Sequence, residues 1–204
     1  MSSIWSMTLA AFRDATAANS STPSCGAAAV VSATMGSALI LMALRISESK
    51  SADPGRSELI KRVEQQMARL GTYADADVKA FERYMDAARL PEHSSIQAEE
   101  REQEVQDAVV EATQVPLETA ETCLELLRLA EEGVSFTSEN VLSDILSGSL
   151  LLQGGLSAVL LNVDADAKML EEGKVRDKAV TKRQWLEQQA DLYLQSIRKA
   201  VCTR

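Results

Sequence analysis

Asp77 sits where a charge is unfavourable. Val63, Met67, Leu70, Ala74, Asp77 and Phe81 step by four, three, four, three and four residues, the spacing of one helix face. That places a carboxylate among apolar side chains. A buried carboxylate holds its proton more tightly, which suits a group that moves protons near neutral pH. The same position also suits a helix-edge aspartate paired with a neighbouring Arg or Lys, and spacing alone leaves both readings open. Cys25 offers a second candidate, at the amino end of an uncharged run where backbone N–H groups stabilise a thiolate or an anion. A small buried thiol fits there equally. Asp144 opens a second uncharged run, either as a catalytic carboxylate or as a first-turn charge favourable to the helix dipole.

His93 is the only histidine, so no Ser-His-Asp triad, HExxH site or histidine-rich metal cluster is available. The three cysteines, Cys25, Cys123 and Cys202, are widely spaced, unlike a disulfide framework or zinc knuckle. No metal is expected. A net charge of −9 argues against nucleic acid as a partner. The amino-terminal MSSIWSMTLAAFRD lacks the basic start and long apolar core of a signal peptide, so a cytoplasmic location is expected.

The elements that hold these residues read as helices. Aromatics are 4% of 204 residues, with 9 Gly and 4 Pro, and Ala, Leu, Glu and Gln favour helix over sheet. The fold class expected is all-α, a single-domain antiparallel helical bundle over residues 1–204. Ala27 to Leu44 and Ile145 to Val163 carry no charge. Each approaches the ~20 residues of a membrane span. Their Ala, Ser, Thr and Gly content, and flanks without aromatic and basic residues, fit two central helices of a large bundle better. No membrane partner is expected.

Around them the pattern predicts a short helix from Ile4 to Ala18, with Trp5, Leu9 and Phe12 on one side. A loop follows from Ser47 to Arg56, then helices over Ser57–Arg89 and Ile96–Glu132, and a last one over Asp177–Cys202. Pro116 should kink the Ile96 helix and Gly133 should end it. Asp164, Asp166 and Lys168 read as the charged surface beyond the second run. The small residues Ser32 with Gly36, and Ala33 with Ser37, permit close helix crossing within one chain or across a two-fold axis, and a homodimer is expected.

These pieces, in this order, resemble the cyclodeaminase/methenyltetrahydrofolate cyclohydrolase family. The Ser21–Leu39 stretch STPSCGAAAVVSATMGSAL resembles that family's glycine-rich entrance and small-residue helix. Asp77–Phe81, Glu111–Leu117, Asn140–Asp144 and Leu161–Val163 match further family motifs. The resemblance implies a homodimeric helical bundle that binds a tetrahydrofolate derivative at a subunit-interface groove. It implies chemistry at the N5–N10 one-carbon bridge, either methenyltetrahydrofolate cyclohydrolysis or formimidoyltetrahydrofolate cyclodeamination. Asp77 and Asp144 are then the catalytic carboxylates, with Thr22, Pro23, Ser24, Cys25, Gly26, Arg45, Lys50, Phe81, Ser143 and Asn162 contacting ligand. The sequence departs from the family at Ser24-Cys25, Arg45, the Lys50–Asp53 stretch, Leu146 and Asp166. Those departures equally fit a repurposed relative that binds a folate-like ligand or a protein partner.

Overall fold

A computed structural model describes residues 3–203. After a 3-10 turn at Ile4–Ser6 come six helices: α1 (Leu9–Thr16), α2 (Cys25–Lys50), α3 (Pro54–Ala88), α4 (Ser95–Phe136), α5 (Leu142–Asp166) and α6 (Lys174–Cys202). A second 3-10 turn, Glu139–Val141, precedes α5. Among the described residues there is no strand. Helix starts follow local chemistry. Asp53 accepts from the Arg56 N–H at 3.0 Å, with Pro54 in the first turn of α3. Ser94 accepts from Gln97 N–H at 3.3 Å ahead of α4, in the usual manner of helix caps.

Four expectations need correction. The amino-terminal segment is a 3-10 turn and a separate short helix, because Thr8 caps α1 by accepting from Ala11 N–H at 3.1 Å. Trp5 leaves the predicted helix face and donates its indole N–H to the Gly71 carbonyl of α3 at 2.8 Å. The predicted loop at Ser47–Arg56 is short, since α2 runs on to Lys50 and α3 starts at Pro54. Gly133 does not end α4. It lies buried inside the helix, which runs on to Phe136, against the Leu44 and Leu59 side chains. Helix α4 also continues through Pro116.

The core is built on α2 and α5, which share the most extensive helix contact in the chain. Ile40 and Leu44 of α2 lie with Leu152, Leu156 and Leu160 of α5 and Leu126, Leu127 and Leu129 of α4, all fully buried. By length and apolarity α2 and α5 could each cross a membrane, yet about half of each apolar window is buried within the bundle. The small residues explain how. A Cβ on Gly36 would lie 2.5 Å from the Gly148 carbonyl oxygen, and one on Gly148 would lie 2.4 Å from the Gly36 carbonyl oxygen. A Cβ on Gly155 would meet Ala33 Cβ at 2.8 Å. Gly36 and Ala33 are thus occupied within the chain, not left free for a crossing between two copies.

This contact predicts the most damaging substitutions. Overpacking commonly costs 1–3 kcal/mol, and opposing backbones have less room to yield than side chains. Gly148→Leu is therefore expected to lower unfolding free energy by about 3 kcal/mol or more in urea titration, with Gly154→Leu, which meets nothing within 4 Å, as the mild control.

Candidate active site

The α2–α5 pairing sets the amino end of α2 beside the carboxyl end of α5, over the middle of α3. Asp77 is buried there, 8% exposed. Its Oδ2 accepts from the Ser24 hydroxyl at 2.9 Å and from the Ala27 N–H at 3.1 Å. Its Oδ1 receives a longer contact from the Asn162 amide at 3.4 Å. Ser24 is the N-cap of α2 but makes no cap bond to its own helix. Asp77, from α3, takes that role.

Among the described residues no Lys or Arg pairs with Asp77, so the surface ion-pair reading falls. Burial pushes its proton affinity up, against the lowering effect of the Ser24 and Ala27 donors. Desolvation therefore outweighs the two hydrogen bonds, and the carboxyl group holds its proton more tightly than a solvated aspartate does. Gly26 is demanded by this arrangement, since a Cβ there would lie 1.9 Å from Asp77 Oδ1.

Cys25 donates its thiol to Asn162 Oδ1 at 2.8 Å. Although the residue is exposed, desolvation at the sulfur and the nearby Asp77 charge push the thiol's pKa up. The thiolate reading is overturned: the carboxylate beside it opposes a second negative charge. Cys25 instead orients Asn162, whose amide faces Asp77.

These groups line a cavity of about 210 Å³, formed by Ser24, Cys25, Asp77, Ala80, Phe81, Tyr84, Ala112, Asn162, Ala165 and Asp166. Phe81 also borders a neighbouring depression of about 440 Å³ that includes Thr22, Glu82, Met85 and Arg89. Among the expected ligand residues, Thr22, Pro23, Ser24, Cys25, Gly26, Phe81 and Asn162 gather with Asp77 at this end. The Thr22–Pro23 peptide bond is cis.

Arg45, Lys50, Ser143 and Asp144 do not join them. Arg45 pairs with Glu64 at 2.6 Å and Lys50 donates to Asn140 at 2.5 Å. At ~1.5 Å rise per residue, Asp144 lies about 27 Å along α5 from Asn162. The length of α5 separates the two carboxylates within one chain. Among the described residues no set of three or more His, Cys, Asp and Glu side chains is placed to hold a metal.

The expected ligand residues did not include five that line the cavity: Ala80, Tyr84, Ala112, Ala165 and Asp166, the last noted only as charged surface and a departure from the family. The signal for two of them was periodic: Asp166 is four residues beyond Asn162, and Tyr84 three beyond Phe81. Asp166 is not part of an outer charged surface. Burial pushes it up to about 6, and the Asp77 charge adds to the effect.

The fold and cavity together define an all-helical protein with a desolvated carboxylate at a helix entrance. The sequence profile of formiminotransferase-cyclodeaminase matches residues 8–184, and the chain belongs to that family. It is 33% identical over 170 residues to the methenyltetrahydrofolate cyclohydrolase of Methylorubrum extorquens, covering 81% of each chain. It is 26% identical over 180 residues to the formimidoyltransferase-cyclodeaminase of Rattus norvegicus, of which it spans 33%. The crystal structure of formiminotetrahydrofolate cyclodeaminase from Thermotoga maritima has the same fold, with a TM-score of 0.86 over 97% of each chain at 24% identity.

Two outcomes follow for the site. Gly26→Ala should displace the Asp77 carboxyl and reduce activity far more than it reduces stability, measured by turnover alongside thermal melting. For Asp166 the sign is set by its raised folded-state pKa. The folded protein binds that proton more tightly than the unfolded chain, so stability declines as pH climbs from about 4 to about 6 and stays lower above. Asp166→Asn should be more stable than the parent at pH 8, by roughly 2–3 kcal/mol at most given ~1.4 kcal/mol per pKa unit. The difference should close at pH 4 in paired urea titrations.

Proposed function

We propose that the chain is a folate-dependent one-carbon enzyme that acts at the N5–N10 bridge of tetrahydrofolate, with Asp77 as its acid–base group. The observation that carries this reading is a buried carboxylate with no cationic partner, at the wall of a cavity, in a chain of this family. In methenyltetrahydrofolate hydrolysis, water adds to the bridging carbon while Asp77 accepts a proton from it. The tetrahedral carbon then collapses as the C–N5 bond breaks: N5 takes the proton from Asp77, the carbinol hydroxyl gives its own proton back to Asp77 and on to solvent, and the formyl group is left on N10. In cyclodeamination, N10 attacks the protonated formimidoyl carbon and gives its proton to Asp77, which passes it to the amino group as the C–N bond breaks and ammonia leaves. Both reactions need one group that takes and returns a proton at one place, as Asp77 can.

Ser24 and the Ala27 N–H steady the ionised form of Asp77, and Asn162 holds its other oxygen. The flat pterin ring stacks at Phe81 and Tyr84. The remainder of the substrate extends past Phe81 into the wider depression, because about 210 Å³ is too small for a whole folate.

The bundle is further proposed to be antiparallel and to act as a cytoplasmic homodimer. Met35 and Met42 of α2, Leu150, Leu151 and Leu161 of α5, and Trp185 and Leu192 of α6 are exposed apolar residues that a second copy would cover. Side-by-side copies in reversed orientation set the Arg45, Lys50, Ser143 and Asp144 end of one beside the Asp77 end of the other. That arrangement gives Asp144 and the basic residues a part in the site. Neither nucleic acid nor a membrane is a proposed partner, and the folate derivative is substrate rather than resident cofactor.

The test is loss of methenyltetrahydrofolate absorbance above its spontaneous hydrolysis, with formimidoyltetrahydrofolate assayed in parallel. Asp77→Asn should lower kcat by roughly 10²–10⁴-fold, the usual scale of acid–base catalysis, while circular dichroism stays unchanged. Full turnover in that variant overturns the assignment. Light scattering on the parent should give about twice the 22.1 kDa chain mass.

A further inference from the structure

Asp166 is the carboxylate that the chemistry above leaves unused. It comes from the last turn of α5, one helical turn beyond Asn162, and lines the same cavity as Asp77. Its carboxyl group makes no hydrogen bond or ion pair among the described residues. The oxygens of Asp77, by contrast, already have donors. None of the ten lining residues is Lys, Arg or His. Two arginines of the adjoining helices are turned to other acids: Arg83 of α3 pairs with Glu111, and Arg183 of α6 pairs with Asp164 and Glu187. The remaining walls carry the Phe81 and Tyr84 rings, their centroids 6.5 Å apart and tilted by 45°.

We propose that Asp166 is a specificity-determining residue: with Asp77 and the two aromatic rings, it makes this cavity a receptor for a planar, amidinium-type cation. Two carboxylates in one small cavity repel each other, and both lose hydration. A proton relieves this, and so does a bound cation, which also gives hydrogen bonds to an acceptor that no protein group among the described residues meets. The ring faces attract the same charge. A neutral group of equal shape gains only the packing, and an anion meets two like charges. The raised proton affinity of Asp166 agrees with this account, since a site that holds a proton against bulk water favours positive charge.

The proposal deepens the folate reading and rests on it only in naming the natural occupant: the positively charged methenyl bridge or the protonated formimidoyl group. The neutral formyl form is disfavoured. Selection of the cationic form at the reacting carbon follows from Asp166, not from recognition of the pterin.

The test uses benzamidinium and benzamide, which share a shape and differ in charge, with the full chain at pH 7.5. Calorimetry should find benzamidinium bound at least tenfold more tightly than benzamide. Amide resonances of residues 77–84 and 162–166 should shift on its addition. Asp166→Asn should reduce that preference at least fivefold, with Asp166→Ser as the second variant if the first misfolds, both verified by thermal melting. Equal affinity for the two probes, a preference retained in both variants, or shifts confined to another surface would overturn the proposal. Neither probe carries a pterin, so the outcome is separate from folate turnover. An inactive protein that prefers benzamidinium through Asp166 upholds the cation site and defeats the folate reading. An active one that shows no preference does the reverse.

Discussion

The structure depends on two helix backbones lying against each other without side chains between them. Gly36 and Gly148 face each other's carbonyl oxygens at distances no Cβ tolerates, and Gly155 meets Ala33 in the same way. Dispersion energy falls quickly with separation, so helices this close gain contact along their whole length. The pairing also fixes an end-to-end relation: Cys25 at the head of α2 touches Asn162 near the foot of α5. Every polar group in the site inherits its place from that relation.

Helix α3 then delivers Asp77 into the junction. The carboxylate meets two opposing influences. The free N–H at the head of α2 and the Ser24 hydroxyl favour its ionised form, while burial favours the neutral one. Burial wins, but the donors limit how far. A carboxyl group raised in this way holds its proton more tightly than a solvated aspartate does. Absence of a cation is as important as the donors present, because a paired Arg would hold Asp77 ionised. Cys25 serves this balance as a neutral thiol, orienting Asn162 rather than attacking substrate.

The site is therefore a product of two helix ends and two helix interiors. Ser24, Cys25 and Gly26 come from the start of α2, Asp77, Phe81 and Tyr84 from α3, Ala112 from α4, and Asn162 and Asp166 from the end of α5. Pro116 has no N–H to give the Ala112 carbonyl four residues earlier, so α4 passes the cavity at a point where its own ladder is interrupted. At the opposite end Arg45, Lys50 and Asp144 form a separate polar region with Glu64 and Asn140. Two polar ends joined by an apolar shaft is the general plan of the chain.

Much of this was written in the chain. Periodicity along Val63–Phe81 put Asp77 on the buried face, and uncharged runs rich in Ala, Ser and Gly marked the two central helices, because both are local properties of helical spacing. The family motifs marked Asp77 and Asn162. Other features depended on neighbours from distant segments. Gly133 reads as a helix stop until it is seen buried inside α4 beside Leu44 and Leu59. Asp77 could have met an arginine, and only the placement of α2 gave it a serine and an amide proton instead. Asp166 reads as surface charge, since nothing within α5 reports that Asp77, Phe81 and Tyr84 of α3 line the same cavity. Which helices form, and which face each buries, was decided by sequence spacing. Which charges lose their water, and so acquire chemistry, was decided by tertiary packing, because desolvation depends on residues that are far away along the chain.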